Sequence, residues 1–237
     1  MSLVLPGLIG ANKPSSASSW DGNGLSASFD GSDDTLDCTI PASLMASDFT
    51  TSIWVRLDGD SGLASADGAF WANNYGASGK VGWRLYFDGN TATNAGLFSV
   101  WVSNGSGSYD NPVAAVQSGA LGDLAWANIV WGRNSPFLGQ ADEAAIWDSA
   151  LTSAQISNIY RGETNGGSGG TNGNAGDLST FSPEIWWRMG DGTGDTNSSG
   201  GAPANGGTVG TILNQGSLAS SNSAVGANGT LFSNSAP

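Results

Sequence analysis

Hydrophobic and polar residues alternate along most of the chain before residue 150. In the segment LSASFDG, Leu25, Ala27 and Phe29 fall on one face, because residues two apart lie on the same side of a β-strand. The same period recurs at residues 52–59, 81–89, 96–105, 126–132 and 143–148. Several of these segments end in Asp-Gly or Asn-Gly, which is typical of tight turns between strands. The regular recurrence predicts an all-β sandwich.

A helical signal comes after the last predicted strand. Thr152 and Gln155 have the spacing of a capping box, in which each side chain binds the other residue's backbone N–H. Three apolar residues lie beyond them at helical spacing: Ile156, Ile159 and Tyr160. Gly162 stands where helices commonly end. The pattern predicts one short helix near residues 152–161, and so short a helix must dock on the sandwich to be stable.

The composition changes after this helix. Residues 163–176, ETNGGSGGTNGNAG, are typical of a linker or a long loop. Residues 177–237 are rich in Gly, Ser and Asn, and their one strong apolar run is 185–189. Alone, this segment buries too little apolar surface to offset its chain entropy. We therefore predict a sandwich over residues 1–162, a linker, and a C-terminal extension that packs on the sandwich or on a neighbouring subunit.

The balance of charge excludes two classes of partner. The 237 residues carry a net charge of −13, with 20 acidic residues against 7 Lys and Arg. No basic patch can be built from so few cations, so we expect neither nucleic-acid binding nor attraction to an anionic membrane. No segment approaches the ~20 apolar residues of a membrane span. The single cysteine, Cys38, allows no internal disulfide and is interpreted as a small buried hydrophobe, with a reactive thiol as the alternative.

The N-terminal residues MSLVLPGLIG lack the basic start of a secretory signal, and Pro6 and Gly7 interrupt the apolar run. The composition is nevertheless typical of extracellular proteins. Two explanations fit these observations. The chain is assembled in a host cytoplasm and released on lysis, as virion proteins are, or a signal has been removed from it.

Three segments together resemble laminin-G-like, concanavalin A-like lectin/glucanase domains. LSASFDGSDDTLD at 25–37 is similar to the opening strand of these domains, and DFTTSIWVRLD at 48–58 to the next long strand. FLGQADEAAIWDSALTSAQISNIY at 137–160 is similar to the closing strand and helix. The resemblance implies a concanavalin A-like jelly-roll β-sandwich with one short helix, here extended by a Gly/Ser-rich C-terminal segment.

The C-terminal extension has a narrower resemblance. LSTFSPEIWWRMGDGTGDT at 178–196, the Gly-rich stretch after it and the final GTLF resemble the segment that comes after such domains in structural proteins of marine tailed phages. This implies a non-enzymatic capsid decoration or fibre component at the virion surface, bound to other virion proteins and homo-oligomeric. The alternative is a carbohydrate-binding or adhesion module of a secreted or surface protein. The two are compatible, since a decoration can also bind host surface glycans.

The chain departs from the family pattern after WANIVW. The family has a further hairpin there, whereas here Trp131 is followed directly by Gly132. Either two strands are absent, in which case the extension is a source for the missing strand, or residues are missing from the sequence at this point. We predict the second.

The inventory of reactive side chains is short. The chain has no His, which excludes Ser-His-Asp and Cys-His nucleophilic schemes and His-based metal sites. Glucanases of this fold use paired carboxylates from one strand, and the corresponding place here is DEAAIWD. In a regular strand, Glu143 shares its face with Ala145 and Trp147 and has no acidic partner. Asp142 and Asp148 share a face but stand about 20 Å apart, against the roughly 5–9.5 Å that glycosidases need. We therefore expect no enzymatic activity.

Six residues in predicted turns and loops are candidates for binding a ligand. Asp30, Asp33 and Asp34 cluster in one turn and are a candidate calcium site, because hard oxygen ligands suit that ion. The alternative is a solvated turn whose Asp side chains bond their own backbone. No other cofactor is expected. The candidates for carbohydrate binding are aromatic residues in predicted loops, with ordinary packing as the alternative: Trp71, Tyr75 and Tyr109.

Trp186 and Trp187 are adjacent in the strongest apolar run of the extension. On a strand they must face opposite sides. We therefore expect one of them to be exposed or covered by another subunit, where a large aromatic side chain is a typical interface anchor.

Overall fold

The computed structural model describes residues 24–38, 40–45, 49–57, 138–170, 173–218 and 222–234, together with the backbone of the strands between 68 and 129. In these residues, two 3₁₀ helices lie at Ala42–Met45 and Leu178–Phe181, and one α-helix, α1, spans Ser153–Tyr160. The strands are β1 (Ser26–Asp30), β2 (Thr35–Cys38), β3 (Thr50–Leu57), β4 (Gly68–Asn73), β5 (Val81–Asp88), β6 (Leu97–Asn104), β7 (Tyr109–Asp110), β8 (Val116–Gln117), β9 (Trp126–Ile129), β10 (Leu138–Trp147), β11 (Ile185–Trp187), β12 (Thr196–Asn197), β13 (Val209–Ile212), β14 (Ala224–Ala227) and β15 (Leu231–Ser233).

Within this part of the chain, the strands form three antiparallel sheets. The main sheet has the order β15-β1-β10-β3-β9, and β11 also pairs with β10. The tail sheet has the order β12-β13-β14-β2, and the third sheet has the order β4-β5-β6-β7, with β8 paired to β6. The predicted all-β class is confirmed, because the described chain folds mostly into antiparallel sheets with one α-helix.

The main sheet and the tail sheet enclose one hydrophobic core, which we call the intersheet core. Ile146, Trp187 and Phe232 enter it from the main sheet, and Val209 and Ile212 enter it from the tail sheet. All five side chains are almost completely buried. Burying residues of this size contributes roughly 1.5–3 kcal/mol of hydrophobic free energy each, so this core is the main source of stability in the described part of the chain.

The opposite face of the main sheet is covered by α1 and by the 3₁₀ helix that comes after it. Trp147, Ile159 and Phe181 pack there in one buried cluster, and the indole N–H of Trp147 donates to the Phe181 carbonyl at 2.9 Å. Beside this cluster, Trp54 of β3 stacks on Tyr160 of α1 with ring centroids 6.1 Å apart. The predicted docking of the helix through its apolar stripe is confirmed.

The start of α1 has the predicted capping box. The Thr152 hydroxyl accepts a hydrogen bond from the Gln155 backbone N–H at 3.3 Å. In return, the Gln155 side chain accepts from the Thr152 backbone N–H at 2.9 Å. Both bonds are local, which is why the sequence alone places this helix start correctly.

Residues 177–237 contribute strands to both layers. β11 and β15 pair with β10 and β1 in the main sheet, while β12, β13 and β14 make up most of the tail sheet. Ala27 lies opposite Phe232, and Asp37 lies opposite Val225. The segment thus forms most of the tail sheet and is also interleaved, in both sheets, with strands from the start of the described chain.

The Gly-rich segment 163–176 folds back on the end of α1. The Gly173 backbone N–H donates to the Tyr160 carbonyl at 2.9 Å, and the Asn158 side-chain amide donates to the Thr164 carbonyl at 3.2 Å. Arg161 and Glu163 form an ion pair at 2.7 Å. In its described part, this segment is therefore a packed loop.

Gly162 is a position in this loop where a side chain does not fit. Its φ is +65°, and a Cβ there would lie 2.9 Å from the Ala175 carbonyl oxygen. Gly166 has a similar φ of +81° but open space around it. We expect Gly166→Ala to cost about 1 kcal/mol for the left-handed backbone, and Gly162→Ala to cost about 1–3 kcal/mol more because the loop must move. Urea unfolding of both variants measures the difference, and equal midpoints would contradict the close packing.

Two further expectations from the sequence concern the Trp131–Gly132 position and membrane-spanning segments. Trp131 and Gly132, the point at which residues are predicted to be missing, lie outside the described residues, so that expectation stays a prediction. Among the described residues, no helix has the length and apolar character needed to span a membrane.

Candidate functional site

β10 carries a β-bulge within the segment DEAAIWD. Trp54 of β3 lies opposite Asp142, and Ser52 lies opposite Ala145. Between these two pairs, β10 has two residues, Glu143 and Ala144, whereas β3 has only Ile53. One extra residue on one strand of a pair defines a β-bulge. Glu143, inside the bulge, has a φ of +47°, a conformation that is rare for residues other than glycine and that is found at strained or functional positions.

The bulge puts two carboxylates on one face of the main sheet. Ala141 and Ala144 both pack in the intersheet core, so Asp142 and Glu143 between them both point towards the opposite face. The expectation that Glu143 has no acidic partner in its strand is therefore wrong. It assumed unbroken alternation, whereas the extra residue shifts the pattern by one. Asp148, the partner considered for Asp142, lies after the end of β10 at an exposed bend.

Glu143 is held by two side chains that lie close together in the extension. The indole N–H of Trp186 donates to Glu143 Oε2, and Arg188 Nε lies 3.3 Å from Oε1. The Arg188 guanidinium also lies over the Trp186 ring, 5.2 Å from its centroid. Only 1% of Glu143 is exposed, so this carboxylate faces protein groups and not solvent.

These groups fill the place where two strands end on the same edge of β10. β1 pairs with residues 138–141 of β10, and β11 pairs with residues 144–146. Asp191 closes the gap, because its Oδ2 accepts from the backbone N–H groups of Gly24 at 2.7 Å and Leu25 at 2.8 Å. Arg188 Nη1 donates to the Asp191 carbonyl at 3.1 Å. We call Asp142, Glu143, Arg188 and Asp191 the junction cluster.

Burial dominates the electrostatics of the junction cluster. It raises the pKa of Glu143 to about 7, although the charge of Arg188 and the hydrogen bond from Trp186 lower it. Burial also raises the pKa of Asp142 well above its ordinary value, and the negative charges of Glu143 and Asp191 add to that effect. Asp142 and Glu143 thus lie together in a dry environment, which favours bound protons on this pair over full ionisation.

A further carboxylate organises the loop next to the cluster. Asp195 Oδ2 accepts from the backbone N–H groups of Gly190 and Gly192, and its Oδ1 accepts from that of Leu213 at 2.8 Å. Burial raises the pKa of Asp195 in spite of these bonds. Its role is to fix the turn that leads from Arg188 to β12.

The predicted calcium candidates do come together. The carboxylate oxygens of Asp30, Asp33 and Asp34 lie within 4.8 Å of one another, at an exposed turn. Asp34 Oδ2 accepts from the Asp30 N–H at 2.9 Å, and Asp30 Oδ1 accepts from the Ser32 N–H at 2.7 Å. Burial raises the pKa of Asp34, and the charges of Asp30 and Asp33 act in the same direction. The trio has oxygen ligands for a cation, but its backbone bonds are equally those of a solvated Asp turn.

Of the three predicted aromatic candidates, the structure describes only the backbone of two. Trp71 lies in β4 opposite Leu85, and Tyr109 lies in β7 opposite Ser103. Tyr75 lies outside the described residues, as do the side chains of the other two. Their role in carbohydrate binding stays a prediction.

Trp186 and Trp187 do face opposite sides of the main sheet. Trp186 packs under α1, and Trp187 packs in the intersheet core, where its indole N–H donates to the Asn222 carbonyl at 2.8 Å. They are 5% and 0% exposed. Both rings therefore lie inside the chain, and neither offers the exposed anchor predicted for an interface. Both rings are buried because α1 covers the face of β11 that carries Trp186, and the tail sheet covers the face that carries Trp187.

Cys38 ends β2 and packs, partly buried, against the intersheet core. Burial raises the pKa of its thiol to about 12, and the charge of Asp37 adds to the effect. The thiol is therefore protonated at neutral pH. This state fits a residue that only packs in the core, whereas a reactive cysteine needs a thiolate.

A shallow groove of about 430 Å³ lies on the tail sheet. Its lining is small and polar, with Asn197, Thr196 and Thr211 beside Gly210 and Gly226. Sequence reasoning missed this groove, because its strands have few apolar residues. It also missed the junction cluster, although two consecutive acids between Ala141 and Ala144 were a signal that alternation fails there.

Comparisons of the chain with models of protein families, with curated proteins and with solved structures find no match.

Proposed function

We propose that this chain is a non-enzymatic structural protein of a tailed-phage particle. It is a capsid decoration or fibre component, built on a concanavalin A-like jelly-roll sandwich and displayed at the particle surface as a homo-oligomer among other virion proteins. The resemblance of residues 25–37, 48–58 and 137–160 to laminin-G-like domains and of 178–196 to phage structural proteins supports this assignment.

The burial of Asp142 and Glu143 carries the non-enzymatic part of the proposal. The resemblance makes DEAAIWD the counterpart of the strand that carries the catalytic carboxylates of glucanases, yet Asp142 and Glu143 are 0% and 1% exposed. Glu143 is bound by Trp186 and Arg188 of the same chain. A glycosidase needs one carboxyl at the leaving-group oxygen and one at the anomeric carbon or its water. Carboxylates bound in this way act as part of the fold.

Mass spectrometry of purified particles of a phage whose genome encodes this chain tests whether the chain is part of the virion. We expect the chain among the virion proteins, in a copy number set by a symmetric assembly. Its absence from particles that carry all other structural proteins would rule the proposal out. In parallel, we expect no turnover of β-glucans, and turnover that is lost in Glu143→Gln would overturn the non-enzymatic part.

A carbohydrate-binding or adhesion module is the second candidate, and the tail-sheet groove favours it. Thr196, Asn197 and Thr211 line this groove. The Asn197 amide is bonded to Ser199, Gly201 and Ala202 within its own turn, so the two threonines are the residues we expect to orient a polar ligand. A glycan array, read with and without calcium, tests this candidate. Binding that weakens in Thr211→Val points to the groove, binding that weakens in Trp71→Ala or Tyr109→Ala points to the predicted aromatic site, and no binding counts against both.

A further inference from the structure

Two exposed turns of the chain contain the same tripeptide, Asn-Gly-Gly. One turn spans residues 164–167 and the other spans residues 204–207. In each turn the backbone N–H of the fourth residue donates to the carbonyl of the first, at 2.8 Å and 2.9 Å respectively. The third residue has a φ of +81° at Gly166 and +75° at Gly206. The two turns are therefore alike in sequence and in backbone conformation, and the asparagine is exposed in both.

The turn at 204–207 is bound to the end of the chain. Gly206 donates its backbone N–H to the Phe232 carbonyl of β15 at 2.8 Å. Asn205 Oδ1 accepts from the Asn234 backbone N–H at 3.1 Å. Both the side-chain carbonyl and the glycine N–H of this Asn-Gly pair are thus engaged in hydrogen bonds, and neither group can move without breaking one.

The turn at 164–167 leaves the corresponding groups free. Asn165 is held through its backbone N–H, which donates to the Thr180 hydroxyl at 2.9 Å. Its side-chain amide and the N–H of Gly166 have no hydrogen-bond partner among the residues that the structure describes. Both residues are exposed, and a Cβ added to Gly166 would meet nothing within 4 Å. Water and space are therefore available for the glycine nitrogen to approach the side-chain carbonyl carbon.

An asparagine followed by glycine is prone to deamidation, because glycine has no side chain to hinder an attack by its nitrogen. Base removes the proton of the Gly166 amide, and the nitrogen attacks Cγ of Asn165. The new N–Cγ bond closes a succinimide ring, while the Cγ–Nδ2 bond breaks and ammonia leaves. Water then opens the ring at either carbonyl carbon, which gives aspartate or isoaspartate. Hydroxide and water are the only reagents that these steps need.

We propose that Asn165 is a site of spontaneous deamidation to aspartate and isoaspartate, whereas Asn205 is protected by the bonds of its turn. The third Asn-Gly pair that the structure describes is also restrained, since Asn228 donates its side-chain amide to the Asp33 carbonyl at 2.8 Å. This modification does not depend on the proposed function, because it needs only the local geometry of the turn.

Isoaspartate at this position disturbs the packing of the loop on α1. The Asn158 side-chain amide donates to the Thr164 carbonyl at 3.2 Å and to the Gly167 carbonyl at 3.5 Å, so it holds the two ends of the turn together. Isoaspartate adds one carbon atom to the backbone between these ends. Because the turn is closed by a single hydrogen bond of 2.8 Å from Gly167 to Thr164, we expect this bond to open in the isoaspartate form.

Ageing of the folded full-length chain in mildly alkaline buffer tests the site. Proteolytic peptides are taken at intervals and analysed by mass spectrometry, with fragmentation that locates each converted asparagine and distinguishes isoaspartate from aspartate. We expect conversion at Asn165 to be at least about tenfold faster than at Asn205, because the hydrogen bonds of Asn205 and Gly206 must open first. Equal rates at the two asparagines, or no conversion at Asn165, would overturn the proposal.

The same measurement on the chain unfolded in urea separates the effect of the fold from that of the sequence. Asn165 and Asn205 are both followed by two glycines, so in the unfolded chain they should convert at similar rates. The folded chain alone should then distinguish them. If Asn165 remains faster than Asn205 by the same factor in urea, the protection does not come from the bonds to Phe232 and Asn234, and the assignment is wrong.

Variants assign the reaction to the pair. Gly166→Ala should suppress conversion at Asn165, because the added methyl group hinders the attack, and should leave the rate at Asn205 unchanged. Asn165→Gln, which keeps the amide on a longer side chain, gives a second test if the first variant does not fold, and no conversion at 165 is expected. Ser168→Ala changes an exposed residue just outside the turn and should keep the wild-type rate. A Gly166→Ala chain that converts at the wild-type rate would contradict attack by the Gly166 nitrogen.

Hydrogen exchange of the aged chain tests the effect on the loop. The Gly167 amide, which closes the turn, should lose protection in the isoaspartate form. The Gly207 amide closes the unmodified turn and should keep its protection in the same sample. A Gly167 amide that is equally protected before and after conversion would show that the loop keeps its packing, against the proposal.

Discussion

A chain that ends after Gly176 should show no cooperative unfolding transition. The truncation removes β11 to β15, so that β2 is the one described strand left in the tail sheet. It also takes Trp187, Ile212 and Phe232 out of the intersheet core and exposes the side chains that they cover. Urea titrations followed by circular dichroism and by dye binding measure the result. We expect a broad, non-sigmoidal change and exposed apolar surface, because a core that has lost one of its two layers cannot offset chain entropy.

Two controls separate this effect from general damage to the tail. Insertion of two glycines after Gly200, where an added Cβ would meet nothing within 4 Å, breaks local hydrogen bonds between Asn197 and Gly201 but removes no core, and should leave the transition cooperative. Addition of a 177–237 fragment to the truncated chain should restore a cooperative transition. A truncated chain that unfolds with the wild-type midpoint and slope would show that the extension is not part of the core.

Trp187→Ala should destabilise the folded chain by about 3–5 kcal/mol, the usual cost of removing a large buried aromatic side chain. Trp187 is 0% exposed in the intersheet core. The change also leaves the buried Asn222 carbonyl without the indole donor that now lies 2.8 Å away. The free energy of unfolding from urea titration measures the loss.

Val225→Ala is the matched control for this substitution. Val225 lies in the same extension, but 46% of it is exposed, so its truncation should change the free energy of unfolding by less than about 0.5 kcal/mol. Trp187→Phe keeps a ring in the core and should fall between the two. A Trp187→Ala chain as stable as Val225→Ala would contradict a core shared by the main sheet and the tail sheet.

The sequence by itself determined the features that depend on neighbours in the chain. Alternation over LSASFDG and SIWVRLDG predicted β1 and β3, and Thr152 with Gln155 predicted the start of α1. These signals are reliable because a strand's two faces and a helix's first turn are set by residues two to four positions apart. The grouping of Asp30, Asp33 and Asp34 in one turn was likewise visible, since one short loop holds all three.

Only the tertiary structure decided the junction cluster and the place of the extension. Asp191 meets Gly24 and Leu25 across more than 160 residues, and Phe232 pairs with Ala27 across almost the whole described chain. The bulge that brings Asp142 and Glu143 to one face exists because β3 pairs with β10 on both sides of it. Alternation within a strand contains no information about such an extra residue. The faces of Trp186 and Trp187 could be predicted from the strand alone, but their burial depended on layers that the sequence places far away.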